Sequence, residues 1–428
     1  MAKKGCKSQA TKFKPLDYAG SICEKYPLAY SPNHSMYLYK PEGYWQAIHA
    51  SHVERLAMVA LGPYAKAHQC SEIRKMVELS CLLPLDRDFD EHNGYVNVKN
   101  GMLDLHKREL LAHDREYYST IQLQVAHEPA AKCPRWEQFL DEILEGDQEC
   151  IDIIQEFMGY SLVPDTRYQK ALLLVGEGAN GKSTLLTVWE KMLGPENTCS
   201  VTLGNLSNEF HRVNLKGKLL NIAAEIKFST IEESDYFKRI VAGDTIDGAY
   251  KRQDPFHFRP FARLVFAMNR MPRVKDTSHG FYRRLLIIPF NRMFPPDEAD
   301  KNLTAALLKE LNGIFAWALR GLDRLYQNDG FMDSRTTREA LQEYQRMNNP
   351  VVAFVEDKCD LDPEGYTSKE LLYSEYREYT KDYGYAAASQ NTFFRELYAV
   401  FPALKAARIG PRDHREHHIA GINLVKSI

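Results

Sequence analysis

Residues 176–183 have the residue types and spacing of a phosphate-binding loop. They read Gly-Glu-Gly-Ala-Asn-Gly-Lys-Ser, match G-x-x-x-x-G-K-[ST] without a gap, and lie between an apolar run (residues 171–175) and a helical pattern. Glycines at 176, 178 and 181 can adopt backbone conformations closed to other residues, which lets N–H groups point inward around a phosphate at the positive end of the helix. Lys182 is placed to reach the β- and γ-phosphates, and the Ser183 hydroxyl to ligate Mg²⁺. This arrangement predicts a site for ATP with Mg²⁺, formed by Gly176, Glu177, Gly178, Ala179, Asn180, Gly181, Lys182, Ser183 and Thr184.

Two further apolar runs end in polar side chains that suit this site. Residues 217–224 lead into Glu225, and residues 262–268 lead into Asn269. In phosphate-loop enzymes an acid at the end of a neighbouring strand orients water or holds Mg²⁺, so Glu225 is a predicted catalytic residue and, with Ser183, a metal ligand. An asparagine at such a strand end can bind the attacking water or the γ-phosphate, although it can also be a simple strand-end cap.

Arg283 and Arg284 stand just before a last apolar run, residues 285–290. Adjacent arginines are commonly solvated or held in ion pairs. In an oligomeric ATPase, one arginine can instead reach across an interface to the γ-phosphate of the neighbouring subunit. Both residues are therefore predicted catalytic candidates.

Residues 243–259 alternate around a polar, turn-prone centre and predict a β-hairpin. Lys251 and Arg252 lie near its tip, and His257 lies on its second arm. A basic hairpin tip is often only a solvated loop, but inside an ATPase core it can contact a nucleic-acid backbone.

Composition restricts the class of protein. The chain has 428 residues and a net charge of −2, so a nucleic-acid surface must be local. Eight cysteines without a C-x-x-C pair favour reduced thiols over disulfides or zinc. No apolar run approaches the ~18 residues that span a bilayer. We expect a soluble, intracellular protein.

The fold class predicted is α/β, with a phosphate-loop ATPase core on a parallel sheet. Five domains are predicted. The first two are a basic flexible tail at 1–30, which is alternatively an arm on DNA, and an α+β region at 31–131 that contains a helix over Tyr44–Met58. They are followed by a helical collar at 132–165, the ATPase core at 166–327 and a winged-helix-like DNA-binding domain at 330–428.

The C-terminal prediction depends on helices at 336–347, 350–358, 368–382 and 389–399 followed by a basic two-stranded ribbon over Leu404–Val425. A capping box is expected at Thr367–Glu370. A histidine cluster at 414, 417 and 418 lacks cysteine or acid at ligand spacing, which favours wing surface over metal. The predicted DNA-binding residues here are Arg395, Lys405 and Arg408.

The ordered motifs resemble the superfamily 3 DNA helicases, specifically the phage, plasmid and poxvirus helicase–primase type, over residues 96–290. The motifs that carry this resemblance are NGMLDL at 100–105, GYSL at 159–162, GEGANGKST at 176–184, Glu225, Gly243-Asp244, NRMP at 269–272 and Tyr282-Arg283-Arg284. The resemblance implies a Walker A motif at Lys182 and Ser183, a Walker B acid at Glu225, a sensor asparagine at Asn269 and an arginine finger at Arg284 or Arg283. It also implies a DNA-gripping hairpin at Lys251 and Arg252, and a homo-hexameric ring acting on single-stranded and forked DNA.

Two departures from the family pattern matter. Ala224 precedes Glu225 where many members have a second acid, so either Glu225 serves alone or another acid such as Asp244 helps it. No carboxylate constellation for primase chemistry is seen before residue 130, so the chain is expected to be either a helicase alone or the helicase part of something longer. A separate primase or polymerase is a candidate partner. An ATP-switched origin-binding initiator or helicase loader is the alternative to a motor.

Overall fold

The computed structural model describes residues 13–31, 35–84, 87–91, 94–224, 234–276, 278–295, 297–298, 300–383, 387–409 and 416–425. Within these ranges, the N-terminal region is a layer of helices with two antiparallel sheets of three strands each. Its elements are α1 (Pro15–Lys25), β1 (Leu28–Tyr30), β2 (Met36–Tyr39), β3 (Trp45–Ile48), α2 (Ala50–Leu61), α3 (Ala67–Ser80), β4 (Tyr95–Val98), β5 (Gly101–Asp104) and β6 (Leu110–Leu111).

Two N-terminal predictions need correction. Helix α1 buries Ala19 and Ile22 in the same apolar cluster as α2 and α3, so the predicted tail is folded from residue 13 onward, and residues 1–12 lie outside the described ranges. The helix predicted over Tyr44–Met58 begins only at Ala50. The preceding residues instead form β3, which pairs antiparallel with β2 from Trp45 opposite Tyr39. Strand pairing overrides the helical periodicity of this short stretch.

The predicted collar and ATPase core follow one another along the chain. The collar contains α4 (Pro134–Ile143) and α5 (Gln148–Tyr160). The core contains β7 (Ala171–Val175), α6 (Lys182–Leu193), β8 (Thr198–Cys199), α7 (Glu209–Arg212), β9 (Leu220–Ala224), α8 (Asp235–Ala242), β10 (Ile246–Gly248), β11 (Phe256–Phe258), β12 (Arg263–Met268), α9 (His279–Tyr282), β13 (Leu285–Pro289), α10 (Leu303–Leu307), α11 (Leu311–Gln327) and α12 (Arg335–Asn348).

The core sheet has the strand order β13–β7–β12–β9–β8, and every pairing in it is parallel. Its strands β13, β7 and β12 are nearly continuous apolar runs because helices cover both faces. The predicted α/β fold with a parallel sheet is confirmed. Since parallel strands share one carboxyl edge, the segments that follow β7, β12 and β9 leave the sheet at the same side.

The collar is attached to the core through close helix packing of α5 against α11. Gly321 on α11 faces the Gln155 backbone carbonyl, and Gly159 on α5 faces the backbone of α11, with no room for a Cβ atom at either position. Glu156, which is fully buried, accepts hydrogen bonds from Arg324 (2.8 Å) and the Met332 amide (2.8 Å). Collar and core are therefore one packed unit.

We expect Gly321→Ala to lower the free energy of unfolding by about 1–3 kcal/mol, because a new methyl group would push two packed backbones apart. Urea unfolding followed by tryptophan fluorescence measures the change. Gly20→Ala on α1 is the control, since a Cβ atom added there would meet nothing within 4 Å, and it should stabilise by about 0.5–1 kcal/mol. Equal effects of the two substitutions would contradict the close-packing account.

The domain boundary predicted at residue 330 is too early. Helix α12 packs on β13, its Tyr344 is buried in the core cluster, and the Tyr344 hydroxyl donates to the Pro272 carbonyl oxygen at 2.8 Å. Asn348 also accepts from the Val274 amide at 2.9 Å. Helix α12 therefore belongs to the parallel-sheet core, and the C-terminal domain begins near residue 349.

The C-terminal domain packs its helices and short strands around its own apolar core. Its elements are α13 (Pro350–Lys358), β14 (Cys359–Asp360), β15 (Tyr366–Ser368), α14 (Lys369–Asp382), α15 (Gln390–Val400), β16 (Lys405–Ile409), β17 (Glu416–Ala420) and β18 (Asn423–Leu424). The helices and the antiparallel β16–β17 ribbon are as predicted. The predicted capping box is wrong, because Thr367 lies in β15 and donates to the Ile422 carbonyl oxygen, while Ser368 is the N-cap and its side chain makes no capping bond.

No helix within the described residues is both long enough and apolar enough to cross a bilayer.

Candidate nucleotide-binding site

Residues 176–181 form a tight loop between β7 and α6. Gly181 has φ +84°, and a Cβ atom there would also strike Ile143 of α4. Gly176 is required for a different reason, since a Cβ atom would collide with the Phe290 carbonyl oxygen. Of the three glycines predicted to be able to adopt conformations closed to other residues, Gly181 alone has a positive φ, and Gly178 has neither a positive φ nor an atom within 4 Å of an added Cβ. The second left-handed residue is instead Ala179, with φ +59°.

The Lys182 side chain is folded into this loop and is 7% exposed. Its ammonium donates to the carbonyl oxygens of Gly176 and Glu177 and to Asn180 Oδ1 (2.9 Å). Asn180 in turn donates to the Glu177 carbonyl oxygen, which fixes the amide orientation. Burial lowers the pKa of Lys182, and the charge of Glu177 partly opposes that effect. A buried ammonium held only by neutral oxygens is a site that favours an anion.

The first turn of α6 points its N–H groups at the same space. Ser183 is exposed there and Thr184 is half-buried. Helix α6 has 12 residues, and the positive end of its dipole adds to the charge of Lys182.

Asn269 lies beside this loop because β12 is the neighbour of β7. Met268 is paired with Val175, and the Gly176 amide donates to the Met268 carbonyl oxygen at 3.1 Å. Asn269 is exposed at this edge. Glu225 follows β9, whose last residue is opposite Ala267 of β12, but Glu225 itself lies outside the described residues.

Arg270 is a residue that motif analysis did not assign. Its guanidinium approaches Glu177 of the loop at 3.3 Å, with both side chains exposed. Its position directly after Asn269 was the available signal, but a single exposed arginine is too common to interpret from sequence alone. The pair places the positive charge of Arg270, which follows β12, beside Glu177 of the loop.

Arg283 and Arg284 lie at the opposite edge of the sheet. They precede β13, and the Arg284 carbonyl oxygen accepts from the Ala171 amide at the start of β7. A five-residue strand separates the two edges by roughly 16 Å. Arg283 is exposed and donates to Gln169 (3.1 Å), whereas Arg284 is half-buried and donates to the Gly280 carbonyl oxygen. Neither arginine contacts the loop of its own subunit.

The suggestion that Asp244 assists Glu225 is wrong. Asp244 follows α8, and its charge acts on Arg284 at the amino edge of the sheet. The adjacent Gly243 packs against Thr166, which precedes β7 on that same side. Asp244 is therefore separated from the nucleotide loop by the length of the sheet.

The predicted hairpin is present, with β10 and β11 paired from Ile246 opposite Phe258. Lys251, Arg252 and His257 are all exposed on it. Its base is fixed by buried Arg212, which donates to the Asp247 carbonyl oxygen (2.6 Å) and forms an ion pair with the Asp247 carboxylate. A rigid base with an exposed basic tip presents positive charge away from the sheet.

The predicted C-terminal residues form a second basic group on another domain. Arg395 is exposed on α15, and Lys405 and Arg408 are exposed on β16. The tip of the ribbon, residues 410–415, including His414, lies outside the described residues. The structure thus brings the nucleotide-loop residues together with Asn269, and places the hairpin and the C-terminal residues on separate elements.

Comparison with known proteins identifies the relatives of this chain. A model described as D5 N terminal like matches residues 21–145, and a family of unknown function, DUF5906, matches residues 174–284. The candidate helicases 022R of Frog virus 3 (isolate Goorha) and L207/L206 of Acanthamoeba polyphaga mimivirus are 24% and 26% identical over 234 and 232 residues. These matches cover 49% and 51% of this chain and 24% of each viral protein. The C-terminal region of NrS-1 matches in fold, with TM-score 0.59 and 13% identity over 96% of this chain and all of that one.

Together these matches support a protein of the superfamily 3 helicase–primase type found in phages and viruses. A third model, the RFX DNA-binding domain, matches residues 348–426. Its start agrees with the boundary that the packing of α12 gives. The chain spans about a quarter of the length of the two viral relatives.

Proposed function

We propose that this chain is an ATP-dependent DNA helicase that acts in replication of a phage, plasmid or other mobile element and moves along single-stranded DNA as a ring. The observation that carries the proposal is the arrangement at the carboxyl edge of the sheet, where Lys182 is buried inside its loop beside Asn269. The viral relatives, which are named as candidate helicases, support the same assignment.

The residues at this edge suit ATP and Mg²⁺. The Lys182 ammonium and the N–H groups of the loop and first turn of α6 would bind the phosphates. Ser183 and Glu225 would hold Mg²⁺, whose role is to neutralise charge on the β- and γ-phosphate oxygens. Asn269 would orient the attacking water, and Glu225 would accept its proton. Asn180 keeps the Lys182 ammonium within the loop.

A single subunit would have an incomplete site, because Arg283 and Arg284 lie at the far edge of their own sheet. In a homo-hexameric ring, that edge would face the nucleotide loop of the next subunit. The exposed Arg283 is better placed for this role than Arg284, whose guanidinium is half-buried and already bonded within its own turn. We therefore assign Arg283 as the arginine that completes the neighbouring site.

DNA would be held in two places. Lys251 and Arg252, with His257 nearby, would contact the phosphates of a single strand, because a motor must pass every sequence equally. The C-terminal domain has the element order of a winged helix and matches the RFX DNA-binding model, so Arg395, Lys405 and Arg408 would bind duplex at an origin or fork. A separate primase or polymerase would act with the ring in the cytoplasm of the infected cell or bacterial host.

The RFX match also favours a second candidate function. In this alternative, the C-terminal domain binds an origin, and ATP switches the assembly to recruit another helicase without unwinding. Strand displacement on a forked duplex with purified protein distinguishes the two, because only a motor releases the strand in an ATP-dependent manner.

Lys251→Ala combined with Arg252→Ala should abolish unwinding and the stimulation of ATP hydrolysis by single-stranded DNA. Basal hydrolysis and folding should remain nearly unchanged, because both side chains are exposed at the tip and outside the loop. Binding of unrelated single strands should weaken about equally and depend less steeply on salt. The measurements are strand displacement, DNA-stimulated phosphate release and a salt titration of binding.

Arg55→Ala combined with Lys75→Ala is the matched control, since it removes the same charge from exposed positions on α2 and α3. This control should unwind at the wild-type rate. If the hairpin variant unwinds as fast as wild type, the hairpin does not grip DNA and the switch function gains support.

A further inference from the structure

The segment after β13 runs alongside the nucleotide loop. The Phe290 amide donates to the Val175 carbonyl oxygen at 2.6 Å, and the Phe294 amide donates to the Ala179 carbonyl oxygen at 2.8 Å. These two bonds hold residues 290–294 against the loop from the end of β7 to the left-handed turn at Ala179. The segment therefore keeps a fixed position relative to any phosphate bound by the loop.

Within this segment, Arg292 and Phe294 form a stacked pair. The Arg292 guanidinium lies over the Phe294 ring, 4.6 Å from its centroid, and donates to the Glu142 carbonyl oxygen at 3.1 Å. Glu142 is in the last turn of α4, where carbonyl oxygens lack partners within the helix. The guanidinium is thus fixed on one face by the Phe294 ring and at its edge by the end of α4, with Arg292 half-buried.

The strand order decides which end of a nucleotide would meet this pair. Asn269 and the end of β9 lie on one side of β7 and would face the γ-phosphate. Strand β13 lies on the other side of β7. A triphosphate held by Lys182 with its γ-phosphate toward β12 must extend its ribose and base toward β13, where the Arg292–Phe294 pair lies.

We propose that Arg292, supported by Phe294 and the end of α4, is the platform on which the nucleotide base stacks. This inference rests on the proposed nucleotide site and names the residues that bind its base. Guanidinium planes stack on bases without reading their hydrogen-bonding edges. The platform therefore accepts any base, and purines bind more tightly than pyrimidines because they offer a larger face.

The test compares a nucleotide with its phosphate part alone. Isothermal titration with AMP-PNP and with inorganic tripolyphosphate, each with Mg²⁺, separates base contacts from phosphate contacts. Arg292→Ala should weaken AMP-PNP binding about tenfold, the loss of one base stack, and leave tripolyphosphate binding unchanged. Arg292→Lys keeps the positive charge but removes the planar guanidinium, so it should weaken AMP-PNP binding nearly as much as Arg292→Ala does.

Met293→Ala is the matched control, because Met293 lies between the stacked residues and is 62% exposed. It should bind both probes like wild type. Unchanged AMP-PNP binding by Arg292→Ala overturns the platform, as does an equal loss for the two probes, which would place Arg292 at the phosphates or at the loop fold. Wild-type protein that binds neither probe would instead refute the nucleotide site itself, so the two failures are distinguishable.

Discussion

Lys182→Ala is expected to reduce ATP hydrolysis by a factor on the order of 10³ or more, because it removes the cation that would neutralise charge on the transferred phosphoryl group. In the structure, this ammonium is buried among the oxygens of Gly176, Glu177 and Asn180, so a methyl group would leave the loop without its charge. Steady-state phosphate release measures the effect. Tripolyphosphate binding should be lost in the same variant.

Glu225→Gln is the comparison that separates binding from turnover. The amide keeps the size of the side chain and loses the proton acceptor, so nucleotide binding should persist while hydrolysis stops. Circular dichroism should show that both variants are folded. Wild-type hydrolysis by Glu225→Gln would make the Walker B assignment wrong, and wild-type hydrolysis by Lys182→Ala would refute the phosphate loop.

Arg283→Ala is expected to reduce hydrolysis by about 10³–10⁵-fold, the range known for arginines supplied in trans. Arg283 lies at the amino edge of the sheet, a strand length of roughly 16 Å from the carboxyl edge where its own loop lies, so we expect the effect to be exerted on a neighbouring subunit. Mixing Arg283→Ala protein with Lys182→Ala protein tests this directly. Two inactive proteins should regain activity, because one of the mixed interfaces joins an intact loop to an intact arginine.

Arg167→Ala is the matched control for this experiment, since Arg167 is another exposed arginine at the same edge of the sheet. It should retain hydrolysis within a few-fold. Mass photometry must show that mixed rings form, and no recovery in confirmed mixed rings would argue against a shared site. If Arg284→Ala is complemented and Arg283→Ala is active, the roles of the two arginines are exchanged.

The sequence alone predicted the elements whose local signals are strong. The order apolar strand, glycine loop and helix at residues 171–193 is confirmed, as are the hairpin at 243–259 and the C-terminal helices. Each depends on interactions between residues near in sequence: glycine conformations, helix termini such as Gly194-Pro195, and alternation around a turn. The apolar runs also indicated a parallel sheet, because only strands covered on both faces lack polar alternation.

Motif order, however, does not give distance in space. Asp244 is an acidic residue within the series of motifs. The geometry of the sheet shows that it lies at the amino edge, away from the loop. The same sheet separates Arg283 from Lys182 within one subunit. The spacing of residues in the sequence could not give these distances, because the edge of the sheet at which a residue lies depends on the topology of the whole chain.

Packing across long stretches of chain decided the rest. Helix α12 resembles the helices that follow it, and its contacts with the parallel-sheet core, through Tyr344 with Pro272 and Asn348 with Val274, assign it to that core. Likewise, Arg292 and Phe294 show no periodicity or motif, and become a candidate base platform because residues 290–294 bond to a loop more than a hundred positions earlier. The sequence therefore predicted the chemistry to look for, while the tertiary structure decided which residues lie together, because that depends on long-range packing that no local pattern records.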